Sequence, residues 1–273
     1  MTQSQILVIG GGNMGMAMAR GAIAAGICNP DQLVIVEPDP QRRVAATGLG
    51  AWACAEPAEG LARAGSEATV LLAVKPQVFP QVALALDPLG DRRVVTVMAG
   101  LKTESVAKAL GGGCRVVRLM PNLGVTLGAG MTGLAGGAGA NQSDVEWATR
   151  LVKAMGEVVH IREDQFDAFT ALAGSGPAYL FYLAEAMARS AAEHGFEAGV
   201  ADRIVRQTLL GAVRLLAEGG ERSAQEWRAA VTSKGGTTQA ACEVLDARGV
   251  GEAVVAAVAA GAARGAALSR GEG

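Results

Sequence analysis

Apolar residues along this chain follow two different periods, and the change from one to the other falls near residue 160. In the first half, short β-branched runs alternate with stretches of helical spacing. Strands are predicted over residues 5–9, 33–36, 69–74, 94–97, 115–119, 131–134 and 157–161, and helices over 13–25, 78–86, 103–110 and 144–154. The strands are almost continuously apolar, which predicts a mostly parallel sheet covered on both faces. After residue 163 only the helical period remains, over 166–172, 177–194, 199–217, 224–231, 237–245 and 251–268. Gly174-Ser175-Gly176, Glu218-Gly219-Gly220 and Gly235-Gly236 punctuate those helices. The expectation is an α/β domain over 1–162 followed by an all-helical domain over 163–273. The last helix is so rich in Ala and Val that a partner surface is expected on it, and residues 271–273 are expected to fray.

Composition narrows the function classes. Half of the 273 residues are hydrophobic and 18% are charged, so the chain can bury a sizeable core. Lys and Arg number 24 against 26 Asp and Glu, a formal charge of −2, which argues against a nucleic-acid or polybasic membrane partner. Cys28, Cys54, Cys114 and Cys242 are far apart in sequence, so neither a disulfide framework nor a zinc site is expected. Only His160 and His194 are available, too few for a His-rich metal site. Met1 to Gln5 is polar and the apolar run after it is broken by glycines, so no leader is expected. The uncharged stretch over 119–143 carries Pro121, Asn122, Asn141, Gln142 and many glycines, and reads as strands and turns instead of a spanning helix. These features predict a cytoplasmic protein.

The first chemical motif is Gly10-Gly11-Gly12-Asn13-Met14-Gly15. Gly-x-Gly-x-x-Gly alone is a weak signal, but here it directly follows a predicted strand and opens a predicted helix. That is the setting of a dinucleotide fingerprint. Gly10 permits the tight turn, Gly12 lets a pyrophosphate approach the backbone, and Gly15 lets helix and strand pack closely. The helix start offers N–H groups and partial positive charge to phosphates. Ile9 ends the strand before it. The acid expected about 20 residues on is Glu37, placed to accept from ribose hydroxyls and to repel a 2′-phosphate, which favours NADH. Arg42 and Arg43 follow, and could bind that phosphate instead. Further strand ends contribute Ala73, Val74, Lys75 and Pro76, then Ala99 and Gly100, then Asn122 after Met120-Pro121. In open α/β sheets, ligands lie beyond the carboxyl ends of strands. Lys75 also suits a solvated charge at a strand end.

The second motif is Val231-Thr232-Ser233-Lys234-Gly235-Gly236-Thr237-Thr238. Backbone N–H groups and hydroxyls at a helix start suit a small carboxylate. An ordinary Gly-Gly linker capped by threonine has the same spacing. Ser175-Gly176-Pro177 likewise suits a plain helix start, with Pro at the first helical position. His160 and His194 read as structural.

With these residues in view, the chain resembles the pyrroline-5-carboxylate reductase family over essentially its whole length. The resemblance rests on the glycine motif at 10–15, Ala-Val-Lys-Pro-Gln at 73–77, Ala-Gly at 99–100 and Met-Pro-Asn at 120–122. It continues with Gly-Ser-Gly-Pro-Ala-Tyr at 174–179 and Val-Thr-Ser-x-Gly-Gly-Thr-Thr at 231–238. It implies a Rossmann-type domain, a helical dimerisation domain and a ring of dimers, such as a decamer. The activity implied is reduction of 1-pyrroline-5-carboxylate to L-proline with NADPH or NADH. Ser175, Ser233, Gly235, Gly236 and Thr237 would contact the substrate, and Thr238 the ring nitrogen. Three departures stand out: Lys234 where the family usually has Pro, Glu37-Pro38 where it often has a polar residue and Arg, and the stretch Ala55-Glu56-Pro57, where the family's usual Asn before the third helix is not evident. Imine reduction needs hydride and a protonated or hydrogen-bonded nitrogen, which fits a chain with two histidines and no evident acid–base pair. One rival is a related Rossmann imine or 3-hydroxyacid reductase. The latter needs a helical lysine, whereas Lys234, alone after Lys153, lies in a loop. The other rival is a non-catalytic cofactor-binding regulator, against which the retained glycines and Thr238 speak.

Overall fold

The structure, a computed structural model of the chain, describes residues 5–270 apart from Asp87. The expected fraying of 271–273 therefore lies outside the described residues. Two compact units are present. One runs to Ser175 and takes in the segment from Gly261 onward; the other is Gly176–Ala260.

The first unit carries the sheet: β1 (Ile6–Ile9), β2 (Leu33–Val36), β3 (Trp52–Cys54), β4 (Thr69–Leu72), β5 (Arg93–Thr96), β6 (Arg115–Pro121), β7 (Gly130–Gly136) and β8 (Gly156–His160). Their order is β3-β2-β1-β4-β5-β6-β7-β8. Every neighbouring pair is parallel except β6 with β7. A parallel return needs a crossover of about a dozen residues or more. Only the 3-10 turn Leu123–Leu127 and its flanks join β6 to β7, so the chain must double back.

The helices of this unit are α1 (Asn13–Ala24), α2 (Pro40–Gly48), α3 (Pro57–Ala64), α4 (Phe79–Leu86), α5 (Thr103–Ala109), α6 (Gln142–Lys153) and α7 (Phe166–Phe169). The short β3 and the helices α2 and α3 add to the predicted set. Apolar strands are covered on both faces, as the pattern predicts. Ile6 and Val8 of β1 face Met18 of α1 and Leu151 of α6 in one core. Leu7 and Ile9 face Val82 of α4 and Val106 of α5 in the other. Each such side chain contributes about 1.5–3 kcal/mol when fully buried.

Two carboxylates close this unit. Asp144 is fully buried and accepts from Arg93 Nε at 2.8 Å and Arg115 Nε at 2.9 Å, and from the Asn141 N–H at 3.0 Å. Burial pushes its pKa up, but the Asn141 N–H and the two guanidinium groups outweigh that and hold it below the ordinary value. Glu163 accepts from the Thr103 N–H and hydroxyl, both at 2.7 Å, and so caps α5 from sixty residues away.

After α7 the chain makes a π-helical turn, Thr170–Gly174. The second unit follows with α8 (Gly176–Glu193), α9 (Ala198–Glu218), α10 (Ala224–Ala230), α11 (Thr237–Ala247) and α12 (Val250–Ser269). The last of these crosses the boundary: its end from Gly261 belongs to the first unit, where Ser269 Oγ donates to Asp167 at 3.2 Å. By length and composition alone α12 is apolar enough to cross a membrane, with mean hydropathy 1.3 over its most apolar window.

Candidate active site

A cleft of about 610 Å³ opens at the carboxyl ends of β1, β2 and β4. Its walls include Ile9, Gly10, Gly12, Asn13, Met14, Glu37, Ala73, Val74 and Lys75, so most of the predicted cofactor residues converge there. Gly11 and Gly15 shape the loop from behind. A Cβ on Gly15 would collide with the Gly10 carbonyl oxygen, and Gly10 itself sits at φ 103°. At Gly12, by contrast, a Cβ would point into open space apart from Arg42 Nη1 at 3.9 Å, which leaves room for a pyrophosphate. Gly12 caps α1 without any side-chain bond to its N–H groups. The residues present therefore fit a dinucleotide.

Glu37 is 5% exposed, and both carboxylate oxygens are held by backbone: Oε2 accepts from the Gly11 N–H at 2.9 Å, Oε1 from the Asp39 N–H at 3.0 Å. Arg43 is committed elsewhere, donating through Nη1 to the carbonyls of Glu37 at 2.8 Å and Pro38 at 2.7 Å. Arg42 lines the cleft. Gln81, Val82 and Ala85 of α4 also line it, along with Glu56 and Pro57 at the start of α3. The sequence marked residues 55–57 only by the family Asn missing there and did not single out the α4 residues, because nothing in a helix pattern marks which turn will face a ligand.

Pro76, Ala99, Gly100 and Asn122 are not in the cleft wall. Gly100, at φ 73°, has the backbone of Leu268 and Ser269 close by: a Cβ there would be 3.8 Å from Ser269 N. The Asn122 side chain is occupied on both ends. Its Oδ1 accepts from the N–H groups of Gly124 and Met131, and its Nδ2 donates to the Ala173 carbonyl at 3.1 Å. Asn122 thus ties the end of β6 to the π-helical turn. That turn delivers Ser175, whose N–H reaches back to the Thr170 carbonyl at 2.8 Å. Ser175 precedes α8, which starts at Gly176.

In the second unit, the 233–238 loop runs into α11. Gly235 is at φ 72°, and its N–H donates to Gln239 Oε1 at 2.7 Å. The Gly236 N–H donates to the Ser233 carbonyl at 3.0 Å. The first helical bond is from Ala240 N–H to the Gly236 carbonyl, so the helix start leaves the N–H groups of Thr237, Thr238 and Gln239 without a partner inside the helix. Thr238 is half-buried and Ser233 exposed. The three buried thiols are poor nucleophiles: burial, then the charge of Asp31, push Cys28 up to about 11, and burial raises Cys54 and Cys114.

Residues 163–268 match a family described as pyrroline-5-carboxylate reductase dimerisation, and residues 5–100 one described as NADP oxidoreductase, coenzyme F420-dependent. The pyrroline-5-carboxylate reductase of Haemophilus influenzae is 32% identical over 91% of each chain. That of Mycobacterium tuberculosis is 36% identical over 96% of this chain and 95% of its own. Among solved structures, a pyrroline-5-carboxylate reductase of Coxiella burnetii superposes with TM-score 0.84 at 32% identity, covering 98% of this chain and 99% of that one. A Plasmodium falciparum pyrroline carboxylate reductase with NADP bound, 23% identical with TM-score 0.84 and covering 98% and 99% of the two chains, shares the fold.

Proposed function

Because the chain belongs to the pyrroline-5-carboxylate reductase family, we propose that it reduces 1-pyrroline-5-carboxylate to L-proline with NADH or NADPH, the last step of proline synthesis. The observation that carries this reading is the family match over residues 163–268, which takes in both the 174–179 and 231–238 blocks. The nucleotide cofactor supplies hydride to the imine carbon when it is bound. The chain's own residues bind, orient and exclude water.

Residues 1–162 hold the nucleotide. The N–H groups at the start of α1 receive the pyrophosphate, which the side-chain-free turn Gly10 to Gly12 lets approach, and Ala73 to Pro76, Ala99 and Gly100 flank the nicotinamide. Residues 163–273 supply the substrate elements and the dimer surface. The Thr237 and Thr238 N–H groups and the Ser233 hydroxyl receive the substrate carboxylate. Gly235 and Gly236 shape the loop, since their own N–H groups are bonded within it. The Thr238 hydroxyl donates to the ring nitrogen side of the substrate, orienting the imine while solvent supplies the proton. Ser175 adds a polar contact at the start of α8. The protein forms a homodimer; the dimers assemble into a ring, and the enzyme works in the cytoplasm.

Steady-state oxidation of NADH and NADPH with the pyrroline acid tests the activity directly. Charge-assisted bonds to a carboxylate are worth about 1.5–3 kcal/mol each. Thr238→Ala keeps those N–H groups but loses the hydroxyl bonded to the ring nitrogen, a contact of comparable size as charge develops there, so it should lower kcat/KM about tenfold or more with cofactor binding kept, and Thr238→Ser should retain much of the activity. Plain 1-pyrroline, lacking the carboxylate, should be a poor substrate. Full activity of Thr238→Ala, with 1-pyrroline as good as the acid, would refute this role of the loop.

A further inference from the structure

We propose that this chain selects NADH over NADPH, and that Glu37, locked by two backbone N–H groups at the ribose end of the cleft, makes the choice. The inference rests on the nucleotide reading above and runs against the NADP in the description of the family matched over 5–100.

A carboxylate has about four acceptor positions. The Gly11 and Asp39 N–H groups take one on each oxygen of Glu37, leaving two for a ribose diol at the cleft wall. Both donors are main chain, so the acid is fixed in position. It cannot rotate out to make room, as an exposed acid on a flexible side chain could. A 2′-phosphate would meet a nearly buried, immobile anion where a hydroxyl would donate a hydrogen bond. Unpaired like charges at that range cost far more than a surface pair gains.

The cations nearby do not cancel this. Arg43 spends its Nη1 on two carbonyls, which leaves it bracing the turn after β2. Arg42 lines the cleft but is 61% exposed, with Asp39 as its ion partner at 3.7 Å. It can serve a 2′-phosphate only from the solvent side. The site is also built around the acid. A Cβ on Gly11 would lie 2.9 Å from the Glu37 Cβ, so the glycine loop and Glu37 fit one another.

The experiment is equilibrium titration of the full-length homodimer with NADH and with NADPH, read by nucleotide fluorescence in the absence of substrate. Competition by 5′-AMP against adenosine 2′,5′-bisphosphate runs alongside. The wild type should bind NADH at least about tenfold more tightly than NADPH, and the two competitors should rank in the same order. Glu37→Gln keeps the size and one acceptor. It should tighten NADPH and weaken NADH, moving their ratio by about thirtyfold or more. Adding Arg42→Ala should remove the gain in NADPH. Wild-type binding of NADPH as tight as NADH would overturn the inference, and that arm needs no variant to fold. Binding of neither nucleotide would overturn it together with the cofactor reading. The expected binding order without turnover of the pyrroline acid would uphold it and remove only the substrate reading.

Discussion

The sheet unit and the helical unit solve the burial problem in opposite ways. Strands β1, β2 and β4 are buried at every residue, and helices on both faces supply the cover from within the chain. In the helical unit, α8, α10, α11 and α12 have no buried residue, and α9 buries only Ala201 and Val205. Phe181, Tyr182, Leu216, Val244 and Val255 are all more than half exposed in the single chain. An apolar surface of that kind is completed by a second copy, as the dimerisation match requires. One region is thus stable by its own packing, and the other by association.

That contrast can be broken from either side. The largest effect is expected from Asp144→Ala, which takes the buried carboxylate from Arg93 and leaves Arg115 with Asp91 alone. It should cost about 3–5 kcal/mol in denaturant unfolding. A loss below about 1 kcal/mol would show that the sheet unit does not depend on this triad. Next is Val255→Asp on the exposed face of α12. Two-fold symmetry places the change twice in one interface, so the dimer dissociation constant should rise about a hundredfold in ultracentrifugation while nucleotide binding persists. An unchanged dimer would move the interface elsewhere. Asn122→Ala removes three hydrogen bonds, to Gly124 in the 3-10 turn, Met131 in β7 and Ala173 in the π-helical turn, and should cost about 2 kcal/mol. It should lower kcat more than it alters nucleotide affinity. The smallest effect is the acid limb of stability. The folded pKa of Asp144 is depressed, so its contribution is complete above the ordinary aspartate value near about 4 and is lost as pH falls through the folded value. Asp144→Asn should flatten that limb by at most about 1.4 kcal/mol per pH unit.

How much of this was legible beforehand depends on how local the cause is. The strand and helix periods located the main elements of the sheet, because an apolar run such as Val70-Leu71-Leu72 is buried whatever surrounds it. The glycine motif located the cleft, because its geometry is decided within six residues. The reversal of β7 was harder: Met131 to Leu134 reads as a strand in either direction, and only the brevity of the preceding link gives the direction away. The π-helical turn left no mark in the spacing of 166–172. Glu37 was legible as the acid at a strand end, but its clamp was not, since β1 and β2 bring Gly11 to it only through their parallel register. The 233–238 loop was legible as a glycine turn into a helix start, whereas the loss of the Gly235 N–H to Gln239 depends on one side-chain rotamer.

The return of α12 bears on how the protein comes off the ribosome. A chain is made from its N-terminus, and domains that are continuous in sequence fold as they emerge. Here the sheet unit is discontinuous. Residues to Ser175 are made first, yet the segment from Gly261, with Leu268 behind Gly100 and Ser269 on Asp167, is made only after the whole of Gly176–Ala260. Until then the sheet unit waits with that surface uncovered, while helices α8 to α11 have already been made. The order of synthesis thus sets dimer assembly in competition with completion of the sheet unit, and a nascent chain stalled before Gly261 should expose both surfaces at once.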